Sequence, residues 1–159
     1  MSSHPVTAAE GGGFALFRGL PVEEREALAT VARRLEPADG ETLYAEGAPA
    51  TTMFLIERGR VTLRVQRDGR PVIVGTLAPG DVLGWSCLRD DAVSLATARA
   101  TGPVRLVAIP ADALLLLLGS GSPAGLAIMR RLFGVAAVHL AAAREQMIRQ
   151  GREGVITAG

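Results

Sequence analysis

The stretch Thr52–Leu77, TMFLIERGRVTLRVQRDGRPVIVGTL, decides the fold. Within it Val61, Leu63 and Val65 alternate with Thr62, Arg64 and Gln66, the period of a strand with one buried face. Asp68-Gly69 supplies a two-residue turn of the kind that joins antiparallel strands, and Val72 and Val74 return. The spacing predicts a β-hairpin, preceded by an apolar strand over Thr52–Glu57.

Working outward, the same texture runs from Pro37 to Pro110: short apolar runs cut by glycine-containing turns. Further strands are predicted at Thr42–Ala45, Val82–Ser86, Leu95–Ala100 and Val104–Ile109, which together indicate an all-β barrel or sandwich of about eight strands. Gly40, Gly47, Gly59 and Gly69 fall at the predicted junctions, where positive φ or close backbone approach favours glycine. Helical patterns flank this region. Phe14–Arg34 carries an inward stripe of Leu28, Val31, Ala32 and Leu35, with Glu23, Glu24 and Glu26 early and Arg33 and Arg34 late. Pro110 opens a short helix to Leu118, broken by Gly119-Ser120-Gly121-Ser122. Ser122-Pro123 then forms an N-cap and first-turn pair for a long helix to about Gln150. The expected organisation is a flexible N-terminus over 1–13, a β-barrel domain over 14–122, a long helix over 123–150 and a flexible tail over 151–159.

The long helix carries the strongest quaternary signal. Leu126, Met129, Phe133, Ala136, Leu140, Ala143 and Met147 recur at alternating spacings of three and four, a heptad seam. Ile128, Leu132 and Val135 form a second apolar stripe beside it. Two adjacent apolar faces need two partners, so one stripe is expected on the β domain and the other on a second subunit, making a homodimer through 123–150. The alternative is a single amphipathic helix folded onto its own core.

Composition narrows the class. The 159 residues suit one domain, and 17 basic against 16 acidic residues leave a formal charge of +1. A concentrated basic surface for nucleic acid or membrane is therefore not expected. All the basic residues are arginine and no lysine or asparagine occurs, a bias spread over the whole chain. One cysteine excludes an intrachain disulfide and fits a reducing cytoplasm, the expected location. No secretory signal opens the chain, and the longest continuous apolar segment, Ala113–Leu118, is far short of a bilayer span.

Particular residues carry a resemblance. Leu16-Phe17-Arg18-Gly19-Leu20 before an acidic helix, then Gly40-Glu41-Thr42-Leu43, Glu46-Gly47, Met53-Phe54-Leu55-Ile56 and Gly59-Arg60-Val61, is similar to the cyclic nucleotide-binding domain, the sensor module of catabolite activator protein-type regulators. Gly80-Asp81-Val82-Leu83-Gly84 resembles the entry to that family's phosphate-binding cassette. The resemblance implies a mainly β jelly-roll barrel with an N-terminal helix, a short helix and a long C-terminal dimerisation helix. It also implies that backbone N–H groups after Gly84 face a cyclic phosphate, as at other anion-binding helix starts. Read alone, Gly84 could equally mark a simple bulge.

The cassette departs from the family pattern. Members that bind nucleotide carry a glutamate for the ribose hydroxyl and an arginine followed by a hydroxyl residue for the phosphate. Here Trp85 stands in the glutamate position, and Ser94 and Leu95 in those of the arginine and the hydroxyl residue. Hydrogen bonds to charged groups contribute about 1.5–3 kcal/mol each, so losing both anchors weakens a site by about 10²–10⁴-fold. The pocket candidates are Gly84, Trp85, Ser86, Cys87, Leu88, Ser94, Leu95 and Ala96, with Arg89 and Arg99 as compensating phosphate contacts. Three readings stay open: a pocket filled by Trp85, Cys87 and Leu88; a pocket for a less anionic ligand stacked on Trp85; and a non-standard site for cAMP, cGMP or another small ligand.

The remaining chemistry is sparse. No nucleophile–base pair, close carboxylate pair or P-loop appears, so no enzyme activity is expected. Because some relatives of this fold bind haem, His139 with Met147 or Cys87 could be considered as ligands, but no metal-ligand spacing supports it; no metal or cofactor is expected. In regulators of this type a helix-turn-helix domain follows the long helix. Only nine residues follow Gln150, so direct DNA binding is not expected and output would pass through a partner protein. The expected function is a stand-alone dimeric sensor, or alternatively a purely structural interaction module.

Overall fold

The computed structural model describes residues 1–7 and 14–156. Seven antiparallel strands form one curled sheet: β1 (Ser2–Pro5), β2 (Arg33–Glu36), β3 (Thr42–Tyr44), β4 (Thr52–Arg67), β5 (Arg70–Leu77), β6 (Val82–Leu83) and β7 (Thr97–Pro110). The order is β1-β2-β7-β4-β5, with β3 added to β7 and β6 to β4. The helices are α1 (Val22–Val31), α2 (Ala111–Gly119) and α3 (Pro123–Ile156), with single 3-10 turns at Ala15–Phe17 and Trp85–Leu88. This is a jelly-roll-type barrel with flanking helices.

The predicted hairpin forms as read. Val65 faces Val72 and Arg67 faces Arg70 across the turn, where Asp68 and Gly69 take φ of 51° and 73°. Two successive positive φ values give the turn whose twist matches that of the strands.

The unbroken apolar run Met53-Phe54-Leu55-Ile56 has a specific cause. Met53 and Leu55 point to a core shared with the helices, alongside Val107, Ile109, Leu28, Leu114 and Ile128. Phe54 and Ile56 point to a second core inside the barrel, with Val61, Leu83, Ala98, Ala100, Leu106 and Ala108. Side chains alternate across a strand, so a strand buried on both faces has no polar phase. The long β4–β7 ladder, from Thr52↔Pro110 to Arg64↔Thr97, separates the two cores.

Several boundaries differ from expectation. The N-terminal lead-in is not all flexible: Ser2–Pro5 pairs with Arg33–Glu36 as β1, while residues 8–13 lie outside the described residues. The helix expected over Phe14–Arg34 is confined to Val22–Val31, after the 3-10 turn at Ala15–Phe17. Arg33, Arg34 and Leu35 belong to β2, because that segment takes the β7 ladder and Arg34 makes a two-pronged ion pair with Glu57, each contact 2.8 Å. The strands expected at Leu95–Ala100 and Val104–Ile109 are one strand, β7, continuous through Gly102-Pro103. Val82–Ser86 instead splits at Gly84 into β6 and a 3-10 turn. The Ser122 hydroxyl accepts the Gly125 N–H at 3.0 Å, as an N-cap should. The helix it caps does not stop near Gln150 but runs to Ile156, into the expected tail; residues 157–159 lie outside the described residues.

Candidate functional site

Strand β6 is brought to the barrel by pairing with β4, Phe54↔Leu83 and Leu55↔Val82, and this delivers Gly84 to the start of the cassette. Gly84 has φ 75° and ψ 12°, and a Cβ there would lie 2.5 Å from the Thr52 carbonyl oxygen. Left-handed conformation and close approach both demand glycine. The chain then turns through Trp85–Leu88, with the Cys87 N–H donating to Gly84 O at 3.1 Å and Arg89 N–H to Ser86 O at 3.1 Å. The far limb is pinned to the loop before β4: Ala50 N–H donates to Ala92 O, Ser94 N–H to Ala48 O and Gly47 N–H to Ser94 O.

The cassette side chains divide. Ser86, Cys87 and Ser94 are buried, Ser94 to 4% exposure. Cys87 and Leu88 join the helix-side core. Trp85 and Ala96 are half-buried, and Leu95 is 54% exposed. Leu95 therefore does not line a closed pocket. Neither compensating arginine points inward. Arg99 lies between Ala98 and Ala100, both inside the barrel, so its side chain takes the outer face, where its Nε donates to the Gly40 carbonyl. Arg89 is engaged by Asp91 on the exposed limb.

One residue of this site carried no motif. Tyr44, the chain's single tyrosine, leaves β3 with its ring stacked on Phe54 at a centroid distance of 6.0 Å and an interplanar angle of 26°. Its hydroxyl lies beside the Gly84 backbone N–H, near enough for that N–H to favour the phenolate. Burial pushes the phenol up to about 12, opposed by the Gly84 N–H and assisted by the nearby Cys87 sulfur. Burial likewise pushes the Cys87 thiol up to about 11, opposed by its own backbone N–H, so it is held as a thiol and not as a reactive thiolate. Only the strand over Thr42–Ala45 was legible; that its tyrosine would meet Gly84 was not.

The long helix shows its two stripes apart. Ile128 is fully buried, with Leu132 and Val135 packed on the helix-side core. Leu126, Met129, Phe133, Leu140 and Met147 stand exposed, Phe133 at 77% and Leu140 at 73%, while Ala143 is exposed and Ala136 half-buried between them. Among the described residues one helix, over Pro123–Arg149, is long and apolar enough to cross a membrane by length and composition, with a mean hydropathy of 1.5. No group of three or more histidine, cysteine, aspartate or glutamate residues that could hold a metal ion occurs among the described residues.

Comparison with known proteins agrees with this geometry. Residues 34–120 match the family described as the cyclic nucleotide-binding domain. The chain is 37% identical over 100 residues to the Acetyltransferase Pat of Mycolicibacterium smegmatis, covering 62% of this chain and 30% of that protein. It is 31% identical over 103 residues to a CRP-like cAMP-activated global transcriptional regulator of Mycobacterium tuberculosis, covering 62% of this chain and 45% of that one. The match thus spans less than half the length of either relative. Among solved structures, a cyclic nucleotide-binding domain from Methylobacillus flagellatus superposes with a TM-score of 0.74 at 20% identity, covering 86% of this chain and 78% of that one, which speaks to the fold alone.

Proposed function

The chain belongs to the cyclic nucleotide-binding domain family, and from that membership we propose that it is a dimeric regulatory domain whose barrel does not take cAMP in the usual way. The observation that carries this reading is that backbone N–H groups of the turn are already engaged, Cys87 on the Gly84 carbonyl and Arg89 on the Ser86 carbonyl. The resemblance assigns the backbone N–H groups after Gly84 to a cyclic phosphate, and here two of them are engaged from within the chain, with the Tyr44 hydroxyl beside the Gly84 N–H. Trp85 and Ser94 replace the two polar anchors, and Arg89 and Arg99 are turned to other partners. The mycobacterial relative is by its name cAMP-activated, which supports descent from a ligand-responsive sensor.

The second half of the reading concerns α3. Its outward stripe of Leu126, Met129, Phe133, Leu140 and Met147 pairs with the same stripe of a second copy, and output passes from the dimer to a protein partner in the cytoplasm. The burial of Ile128 under the opposite stripe supports helix–helix pairing over membrane insertion, because one side of the helix is already committed to the barrel. Each large side chain removed from water at such a seam contributes about 1.5–3 kcal/mol.

Thermal stability in the presence of cAMP and cGMP tests the barrel. A ligand at 100 times its Kd adds about 2.7 kcal/mol, a readily measured rise in Tm. The wild-type chain is expected to show no rise with millimolar nucleotide. The triple variant Tyr44→Ala, Trp85→Glu, Ser94→Arg is expected to gain one, since it clears the tyrosine from beside Gly84 and restores both anchors. A rise in the wild type overturns the closed-barrel reading in favour of a non-standard nucleotide site.

A further inference from the structure

Between α3 and the barrel lies a cleft of about 430 Å³ that involves neither the cassette nor the outward stripe. Its floor is apolar, built from the buried side chains of Leu16, Leu55 and Val82. Its α3 wall presents Arg131, Gly134, Val135 and Val138 along successive turns. The size falls within the range of small-molecule sites, about 300–1,000 Å³.

Gly134 is the unusual member. Glycine is a poor helix former, second only to proline, and a Cβ at Gly134 would meet nothing within 4 Å. No neighbouring described atom therefore demands the glycine for close packing. Its missing side chain leaves the wall of the cleft open. Arg131 is fixed at the same wall, its Nη1 donating to the Leu16 carbonyl at 2.9 Å, which leaves its other guanidinium N–H groups for a further acceptor. Across the cleft, Asp81 directs one carboxylate oxygen to the Ala78 N–H at 2.8 Å, closing the turn before β6. An adjoining depression shares Phe14, Ala15 and Gly80 with the cleft and carries Arg18 and Arg58, so this end of the molecule is electropositive.

We infer that this cleft binds an amphiphilic monocarboxylate, its apolar body against Phe14, Val135 and Val138 above the buried Leu16, Leu55 and Val82, and its carboxylate on the Arg131 guanidinium. An apolar floor with one planar, pre-positioned cation is the complement of that ligand class. The inference does not depend on whether the cassette is closed, because the cleft takes only Gly80, Asp81 and Val82 from its entry and no residue from Gly84 to Ala96.

Titration of the full chain with decanoate and with decan-1-ol, by calorimetry and by amide chemical shifts, tests it. Decanoate is expected to bind at least 10-fold more tightly than the alcohol, with shifts centred on Leu55, Val82, Gly134 and Val135. Gly134→Leu is expected to abolish binding while raising the Tm of the unliganded protein. Arg131→Gln is expected to weaken decanoate about 10- to 100-fold and leave the alcohol unchanged. Val138→Glu, at an exposed position, is expected to repel the carboxylate and serves if the leucine variant does not fold. The inference is overturned if decanoate does not bind, if the alcohol binds equally well, or if Gly134→Leu or Val138→Glu binds as the wild type does. Shifts confined to Phe133 and Leu140 would also overturn it, by assigning the amphiphile to the outward stripe.

Discussion

The Tyr44 hydroxyl lies beside the Gly84 backbone N–H, which brings β3 against the start of the cassette turn. An N–H at the start of a tight turn has few alternatives once the site is closed to water, and an unsatisfied buried donor costs about 1–3 kcal/mol. Tyr44→Phe removes the hydroxyl beside that N–H and keeps the ring on Phe54. It is expected to lower unfolding stability by about that amount in denaturant titrations; an unchanged midpoint would mean that solvent already serves the Gly84 N–H.

Tyr44 and its neighbour Cys87 give a pH dependence. Tyr44 ionises at about 12 in the fold against 10.0 in the reference state, and Cys87 at about 11 against 9.0, both raised chiefly by burial. For each group the unfolded chain loses its proton first. Stability is therefore fully present below pH 9 and declines as the pH rises, first through the Cys87 window and then through that of Tyr44. Thermal melts from pH 8 to 12 should show this fall, with Cys87→Ala flattening its beginning and Tyr44→Phe its upper part. Identical profiles in both variants and the wild type would count against burial as the cause.

Two glycines should be intolerant of alanine for different reasons. At Gly84 the left-handed φ and the Thr52 oxygen 2.5 Å from the new Cβ act together. At Gly125 φ is ordinary, but the new Cβ would lie 2.4 Å from the Leu117 carbonyl oxygen, where α3 crosses the end of α2. Each substitution is expected to destabilise by about 1–3 kcal/mol. In amide exchange, Gly84→Ala should loosen the cassette turn, and Gly125→Ala the start of α3. A stable Gly125→Ala protein with unaltered protection of α3 would contradict the tight crossing.

Leu140→Glu is expected to convert the proposed dimer to a monomer in light scattering while leaving the barrel's Tm within about 1 kcal/mol of stability, since the side chain is 73% exposed in the single chain. A dimer that survives this change and Phe133→Glu would place the interface elsewhere.

The Arg34–Glu57 pair links β2 to β4 through two contacts of 2.8 Å, with both side chains under one-fifth exposed. Glu57→Ala leaves a mostly covered guanidinium without this acceptor, and a loss of about 1–3 kcal/mol is expected in thermal or chemical unfolding. A loss under 0.5 kcal/mol would show the pair to be solvated like a surface bridge.

Sequence periodicity revealed what depends on local pattern. The Val61–Val74 hairpin, the Ser122 cap and the separation of the two α3 stripes were all legible, because turn chemistry and apolar spacing act over a few residues. β1 was not legible: Ser2, Ser3, His4 and Pro5 are all exposed, and backbone pairing with β2 holds them, leaving no side-chain signature. β2 was misread as helix because Arg33-Arg34-Leu35-Glu36 fits either period; the free edge of β7 and the Glu57 carboxylate resolve it. At the site, the expectation that Trp85 and Ser94 stand in the family's anchor positions rests on position in the sequence alone. The outward turn of Arg99 and the reach of Tyr44 to Gly84 depend on which face of a strand is presented, and that is fixed by long-range register.

The β4–β7 ladder has one more consequence. Met53 and Leu55 touch the helices while Phe54 and Ile56, one peptide away, touch the barrel interior; Val107 and Ile109 alternate with Leu106 and Ala108 in the same way. The ladder is thus a shared partition between two packed compartments and not the lining of one. A strand cannot slide on one side without sliding on the other, so a shift of side chains inside the barrel is felt in the helix-side core through a wall one residue thick.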